Sequence, residues 1–128
     1  MKTDEIKLPS SETGEKLYGL ELIEKMCRGS LDLVKEMLNV FIEDLPHAVN
    51  EIKSAYQTRD FKTIKAVAHR VKPVLNFYAV QSLVHHIPNM EALAEQEDGG
   101  EEMQQMINKM EAVIAVIVED MRNTVLAK

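Results

Sequence analysis

The chain has 128 residues, 45% of them hydrophobic and 28% charged, with a formal net charge of -6. That length and balance fit one soluble globular domain, and the acidic total argues against nucleic acid as the main partner. A single cysteine, Cys27, excludes an internal disulfide and fits a reducing compartment.

Met1 to Glu15 is polar and mixed in charge, with no apolar signal-peptide stretch. Pro9-Ser10-Ser11 opposes helix formation, so residues 1–14 are expected to be a flexible leader and 15–128 the folded domain. The first helical spacing is short: Leu17, Leu20, Ile23, Met26 and Cys27, stopped by Arg28-Gly29. Tyr18 is placed to pack over the end of the fold as an anchor for this helix, and Cys27 faces the apolar side, inert. Either Ser30 or Asp32 caps the next helix, which carries Leu31, Val34, Leu38, Phe41, Leu45, Val49 and Ile52. Pro46 lies within it and is expected to bend it.

Arg59-Asp60 marks a turn, and a third helix follows with Phe61, Ile64, Ala68, Val71, Leu75 and Tyr78 on one side. A fourth carries Val80, Leu83, Ile87, Met90 and Ala94, kinked or interrupted at Pro88. Glu97-Asp98-Gly99-Gly100 is a loop, because paired glycines end helices readily. The last helix holds Met103, Ile107, Met110, Ile114, Ile117, Met121 and Val125. Most of the eight methionines fall at core spacing and read as packing. The longest apolar run, Ala112 to Val118, is too short to span a bilayer. These elements predict an all-α fold: an antiparallel up-down four-helix bundle with a short additional N-terminal helix, in a cytoplasmic protein or a piece of a larger one.

One residue stands off this pattern. At about 100° per residue, the apolar set of the third helix clusters near 300° from Phe61, while His69 falls at about 80°. Lys62, Lys65 and Asn76 share its side, and Lys72 lies about one-sixth of a turn away. Between Arg59 and Lys72 stand Arg59, Lys62, Lys65, Arg70 and Lys72 against only Asp60. An outward imidazole can be neutral, nucleophilic and proton-carrying near pH 7. Cations beside it would offset the charge of a phosphoryl group, with Lys72 one turn away as a mobile point charge. A solvated basic face with an incidental histidine is the alternative.

Ala68-His69-Arg70-Val71-Lys72 resembles the motif of histidine-containing phosphotransfer (HPt) domains of two-component phosphorelays, in which alanine-histidine, two residues and lysine lie on one helix of a four-helix bundle. Phe41-Ile42-Glu43-Asp44-Leu45-Pro46 is similar to the family's phenylalanine, acidic and proline stretch, Asp60 to its aspartate before the histidine helix, and Met90-Glu91 to its apolar-glutamate pair. The likeness covers about Leu17 to Met121.

The resemblance implies that Nε2 of His69 accepts a phosphoryl group from a receiver-domain aspartate and passes it to another, steadied by Lys72. The partner would dock on the third helix and its neighbour, over Lys62, Lys65, Arg70, Pro73 and Asn76. Partners implied are response-regulator receiver domains and a hybrid histidine kinase. No cofactor is expected on this chain, Mg2+ belonging to the receiver. No Gly-rich phosphate loop is visible, so a carrier is implied and not a kinase. A monomer without membrane insertion is the simplest expectation.

Two departures from the family pattern stand out: Pro73 replaces the glycine that usually follows the lysine, and Ala79 stands at a later glycine. Pro73 cannot donate to the carbonyl of His69, which predicts a bend or widened turn there. His47, His85 and His86 lack the paired Glu-x-x-His pattern of bundle metal sites, so no metal is expected. Glu21, Glu24, Glu43 and Asp44 read as a solvated face. The rival function is a catalytically silent helical adaptor that only docks receivers or other signalling proteins.

Overall fold

The computed structural model describes residues 17–127, and the predicted leader over 1–14 lies outside them. The described residues form helices with no strand: α1 Glu21–Met26, α2 Leu31–Gln57, α3 Phe61–Phe77, α4 Gln81–Val84, α5 Ile87–Glu95 and α6 Glu101–Asn123.

Side-chain ties set the directions of these helices. Tyr56, near the end of α2, donates to the carbonyl of Gly99 just before α6, and Lys53 pairs with Glu111 farther along α6. Helices α2 and α6 therefore run in opposite directions. The same holds for α2 and α3, where Glu51 meets Arg70 and Met37 meets Tyr78. It holds again for α3 and α5, where Lys65 meets Glu95 and His69 meets Glu91. One core fills the space between them, with Leu38, Phe41, Ile52, Ile64, Leu75, Met90, Ile107 and Ile117 sealed from water.

The helix ends repeat one device. Arg28, Arg59, Ala79 and Glu97 each take a positive φ, between 54° and 58°. Each is followed by an amide that reaches back five residues along the chain: Gly29 to Glu24, Asp60 to Ala55, Val80 to Leu75 and Asp98 to Leu93. This is the Schellman stop, which satisfies carbonyls the helix leaves open. Glycine takes that conformation freely, which explains why the family pattern has glycine where Ala79 stands. The α5–α6 loop stops at Glu97 rather than at a glycine. A Cβ at Gly99 would meet the guanidinium of Arg59 and the ring edge of Phe61, so a side chain there would have to displace them.

Three expectations change in detail. The fourth helix is two pieces, because His85-His86 form a turn and Pro88 opens α5, where its missing N–H has no partner to lose. The first helix begins only at Glu21, and Ser30, not Asp32, caps α2 by accepting from the amide of Leu33. The widened turn expected at Pro73 is absent: α3 stays α-helical through it, as α2 does through Pro46. Buried Ala68, Val71 and Leu75 on α3, and Ile42, Leu45 and Val49 on α2, fix the turns on either side of the missing bond.

Two buried tyrosines tie the N-terminal end to this core. The Tyr18 hydroxyl donates to Asp120 at 2.6 Å, anchoring the entry to α1 as its sequence position suggests. Tyr78 donates to the carbonyl of Met37 at 2.9 Å. Burial, reinforced by the Asp120 carboxylate, raises the ionisation of Tyr18, and burial pushes Tyr78 up to about 12. Because the folded state holds these protons more tightly than the unfolded chain, the stabilisation is complete below about pH 10 and disappears as pH rises through about 12. The urea midpoint is therefore expected to fall between pH 9 and 11 (roughly the onset of that window). The fall should be shallower in Tyr18→Phe and Tyr78→Phe. An equally steep fall in both variants would assign the alkaline loss to other groups.

Candidate phosphoacceptor site

Helix α3 presents His69 because its neighbours are consumed by the core. Val67, Ala68 and Val71 are buried, and this leaves position 69 on the outer face with its side chain 80% exposed. Asp60 starts the helix, accepting from the amide of Thr63 at 3.2 Å and from its hydroxyl at 2.7 Å. Those bonds hold the Asp60 carboxyl below the usual range. The aspartate noted in the sequence thus acts as the cap that sets the first turn of the histidine helix.

The immediate partner of the ring is a carboxylate. Nδ1 of His69 lies 2.9 Å from Oε2 of Glu91 on α5, whose side chain is 19% exposed. An ionised carboxylate only accepts, so Nδ1 carries the proton, and in the neutral ring the lone pair then lies on Nε2. This assigns the tautomer from the hydrogen bond. The ring is held in one orientation with its nucleophilic nitrogen outward.

The cations beside His69 do not form an uncompensated ring. Lys65 is paired with Glu95, and Arg70 donates to Glu51 at 2.7 Å. Lys72 is half-buried and makes no ion pair among the described residues. Lys62, Pro73 and Asn76 are exposed, and Asn76 and Lys62 make no side-chain bond among the described residues. The positive stripe of α3 is framed by carboxylates from both neighbouring helices: Glu51 on α2, Glu91 and Glu95 on α5. This frame was hidden in the sequence because it comes from other helices. The spacing of Met90 and Ala94, both buried, does put Glu91 and Glu95 one turn apart on one flank of α5.

Pro73 lies one turn past His69 and lines an apolar groove of about 370 Å³ between α2 and α3, with Met37, Val40, Phe41 and Phe77. Val40, at its rim, is 57% exposed. A second groove of about 550 Å³ lies between α2 and α6, and no α3 residue lines it.

The other histidines are placed apart. His47 and His85 are exposed, and His86 meets Nζ of Lys109 at 2.9 Å. Among the described residues no group of three or more histidine, cysteine, aspartate or glutamate side chains is arranged to hold a metal ion. No helix among them is long and apolar enough to cross a membrane.

Among the described residues, an all-helical scaffold thus presents the His69 imidazole to solvent with Glu91 as its hydrogen-bond partner. Residues 36–121 match the family described as the Hpt domain, and the chain belongs to that family. The match includes His69, Lys72, Pro73 and Glu91, and leaves α1 and the first turn of α2 outside. No curated protein and no solved structure matches the chain. Membership carries a role in phosphotransfer of two-component signalling, as a phosphocarrier rather than a kinase, with receivers and kinases as the family's partners.

Proposed function

We propose that His69 is the phosphoryl carrier, taking the group from an aspartyl phosphate of one receiver domain and giving it to an aspartate of another. The observation that carries this reading is the Nδ1–Glu91 hydrogen bond at 2.9 Å on a ring that is otherwise open to water. In the first transfer the Nε2 lone pair attacks phosphorus. The bond from phosphorus to the donor aspartate breaks, and its electron pair stays on that carboxylate. The Nδ1 proton does not leave, and the positive charge arising on the ring is balanced by Glu91. In the second transfer the acceptor aspartate attacks phosphorus and the N–P electron pair returns to Nε2. Positioning and charge are most of what such a step requires.

Lys72, one turn on, supplies an ammonium for the phosphoryl oxygens. Mg2+ is assigned to the receiver and no cofactor to this chain. The receiver would dock on α3 over Lys62, Lys65, Arg70, Pro73 and Asn76, with the apolar groove lined by Pro73 one turn beyond His69.

The test mixes the chain with a receiver domain carrying labelled aspartyl phosphate. Label is expected to leave the receiver and appear on the chain in an acid-labile, base-stable form. Binding without transfer across several receivers would instead favour the adaptor. Glu91→Ala is expected to slow transfer about tenfold to a hundredfold, the usual consequence of losing a partner that orients a reactive imidazole. Proton-detected nitrogen NMR should show its ring divided between the two tautomers. An unchanged rate with a single tautomer would remove Glu91 from the mechanism.

A further inference from the structure

Resting on the carrier reading, we infer that Lys65 is a second phosphoryl-binding cation, held by Glu95 in the free chain and released to the phosphoryl group once His69 is loaded. Two rungs join α3 to α5 one turn apart: His69 with Glu91, and Lys65 with Glu95. Lys65 precedes His69 by four residues, which puts their Cβ atoms about 6 Å apart on one face. Helical side chains lean toward the N-terminus, so the His69 ring tilts over the turn that carries Lys65. Lys72 approaches from the other side, and a phosphoryl group on Nε2 would sit between two ammonium groups.

The rung through Glu95 is suited to opening. Both side chains are largely exposed, at 48% and 66%, and water competes well for such a pair. Glu95 is a single carboxylate, whereas a phosphoryl group offers nearly two negative charges and three acceptor oxygens. Lysine suits the exchange because its flexible stem lets the ammonium swing while its backbone stays helical. Glu95 first, and the ring's own partner Glu91 more weakly, hold the Lys65 ammonium above the usual lysine range. Arg70 has no equivalent freedom, since its partner Glu51 lies on α2, on the other side of α3.

The experiment loads His69 with phosphoramidate, a small donor that needs no partner, and compares wild type, Lys65→Gln, Glu95→Gln and the double variant. Two quantities are read: the phosphohistidine half-life, and the second ionisation of the phosphoryl group followed by phosphorus NMR. Lys65→Gln is expected to shorten the half-life and raise the ionisation. Glu95→Gln, which frees Lys65, should do the opposite, each change being about twofold to fivefold. In the double variant the Glu95→Gln effect should vanish. Equal values in all four proteins, or effects that simply add, would overturn the role of Lys65. Failure of wild type to label at His69 would overturn the carrier reading and this inference together.

Discussion

Replacing His69 with glutamine is expected to remove phosphoryl acceptance and to leave the fold intact. The side chain is 80% exposed, so its loss falls in the class of surface changes worth within about 0.5 kcal/mol. For a domain of this size that shifts the melting midpoint by only about 2 °C. Glutamine can still place an amide N–H near Glu91, but it has no nucleophilic lone pair on nitrogen. Circular dichroism melting and labelling from a phosphorylated receiver check the two halves of the expectation. A large drop in thermal stability would place the imidazole in a structural role, and residual acid-labile label would place the carrier elsewhere.

The largest effect on stability is expected at Phe41. Its ring is 1% exposed and lies 4.7 Å from the ring of Tyr78, which in turn stands edge-on to Phe77 at 5.8 Å. These contacts join α2 to the end of the histidine helix beneath the apolar groove. Phe41→Ala removes the ring from a close-packed site and leaves a cavity, at a cost of about 3–5 kcal/mol. That is a large fraction of the roughly 5–15 kcal/mol that holds a domain of this kind together. The melting midpoint should fall by roughly 10–20 °C. Well below that midpoint His69 should still accept a phosphoryl group, because α3 keeps its buried residues Ile64, Val67, Ala68 and Val71. A loss under about 1 kcal/mol would show that the groove collapses onto the vacated space.

How much of this was legible in the sequence follows from what each feature depends on. The helices were readable because the spacing of buried residues is local: Ile64, Ala68, Val71 and Leu75 alone define the inner face of α3, and His69 is outward by subtraction. Tyr18 as an end anchor and Cys27 as a buried residue followed from the same periodicity. The boundary between α4 and α5 was ambiguous because Pro88 can either kink a helix or open one, and His85-His86 give no strong turn signal. At Pro46 and Pro73 the helices continue without a break, since packing on both sides offsets the loss of one hydrogen bond.

The electrostatics of the site were the least legible part. Counting cations along α3 suggested an unbalanced positive patch, yet Glu51 and Glu95 reach Arg70 and Lys65 from neighbouring helices. Glu91 entered only through a resemblance, and its contact with His69 spans 22 residues of sequence. One chain cannot reveal such pairings, because they depend on how helices are set against each other rather than on any one helix.

The measurement that bears most directly on the whole account is residue-level localisation of the phosphoryl group by tandem mass spectrometry at neutral pH, after incubation with a phosphorylated receiver. All of the group should be found on the ring of His69, with none on His47, His85 or His86. Phosphoryl on any of those three, or a chain that binds the receiver and stays unmodified, would contradict it.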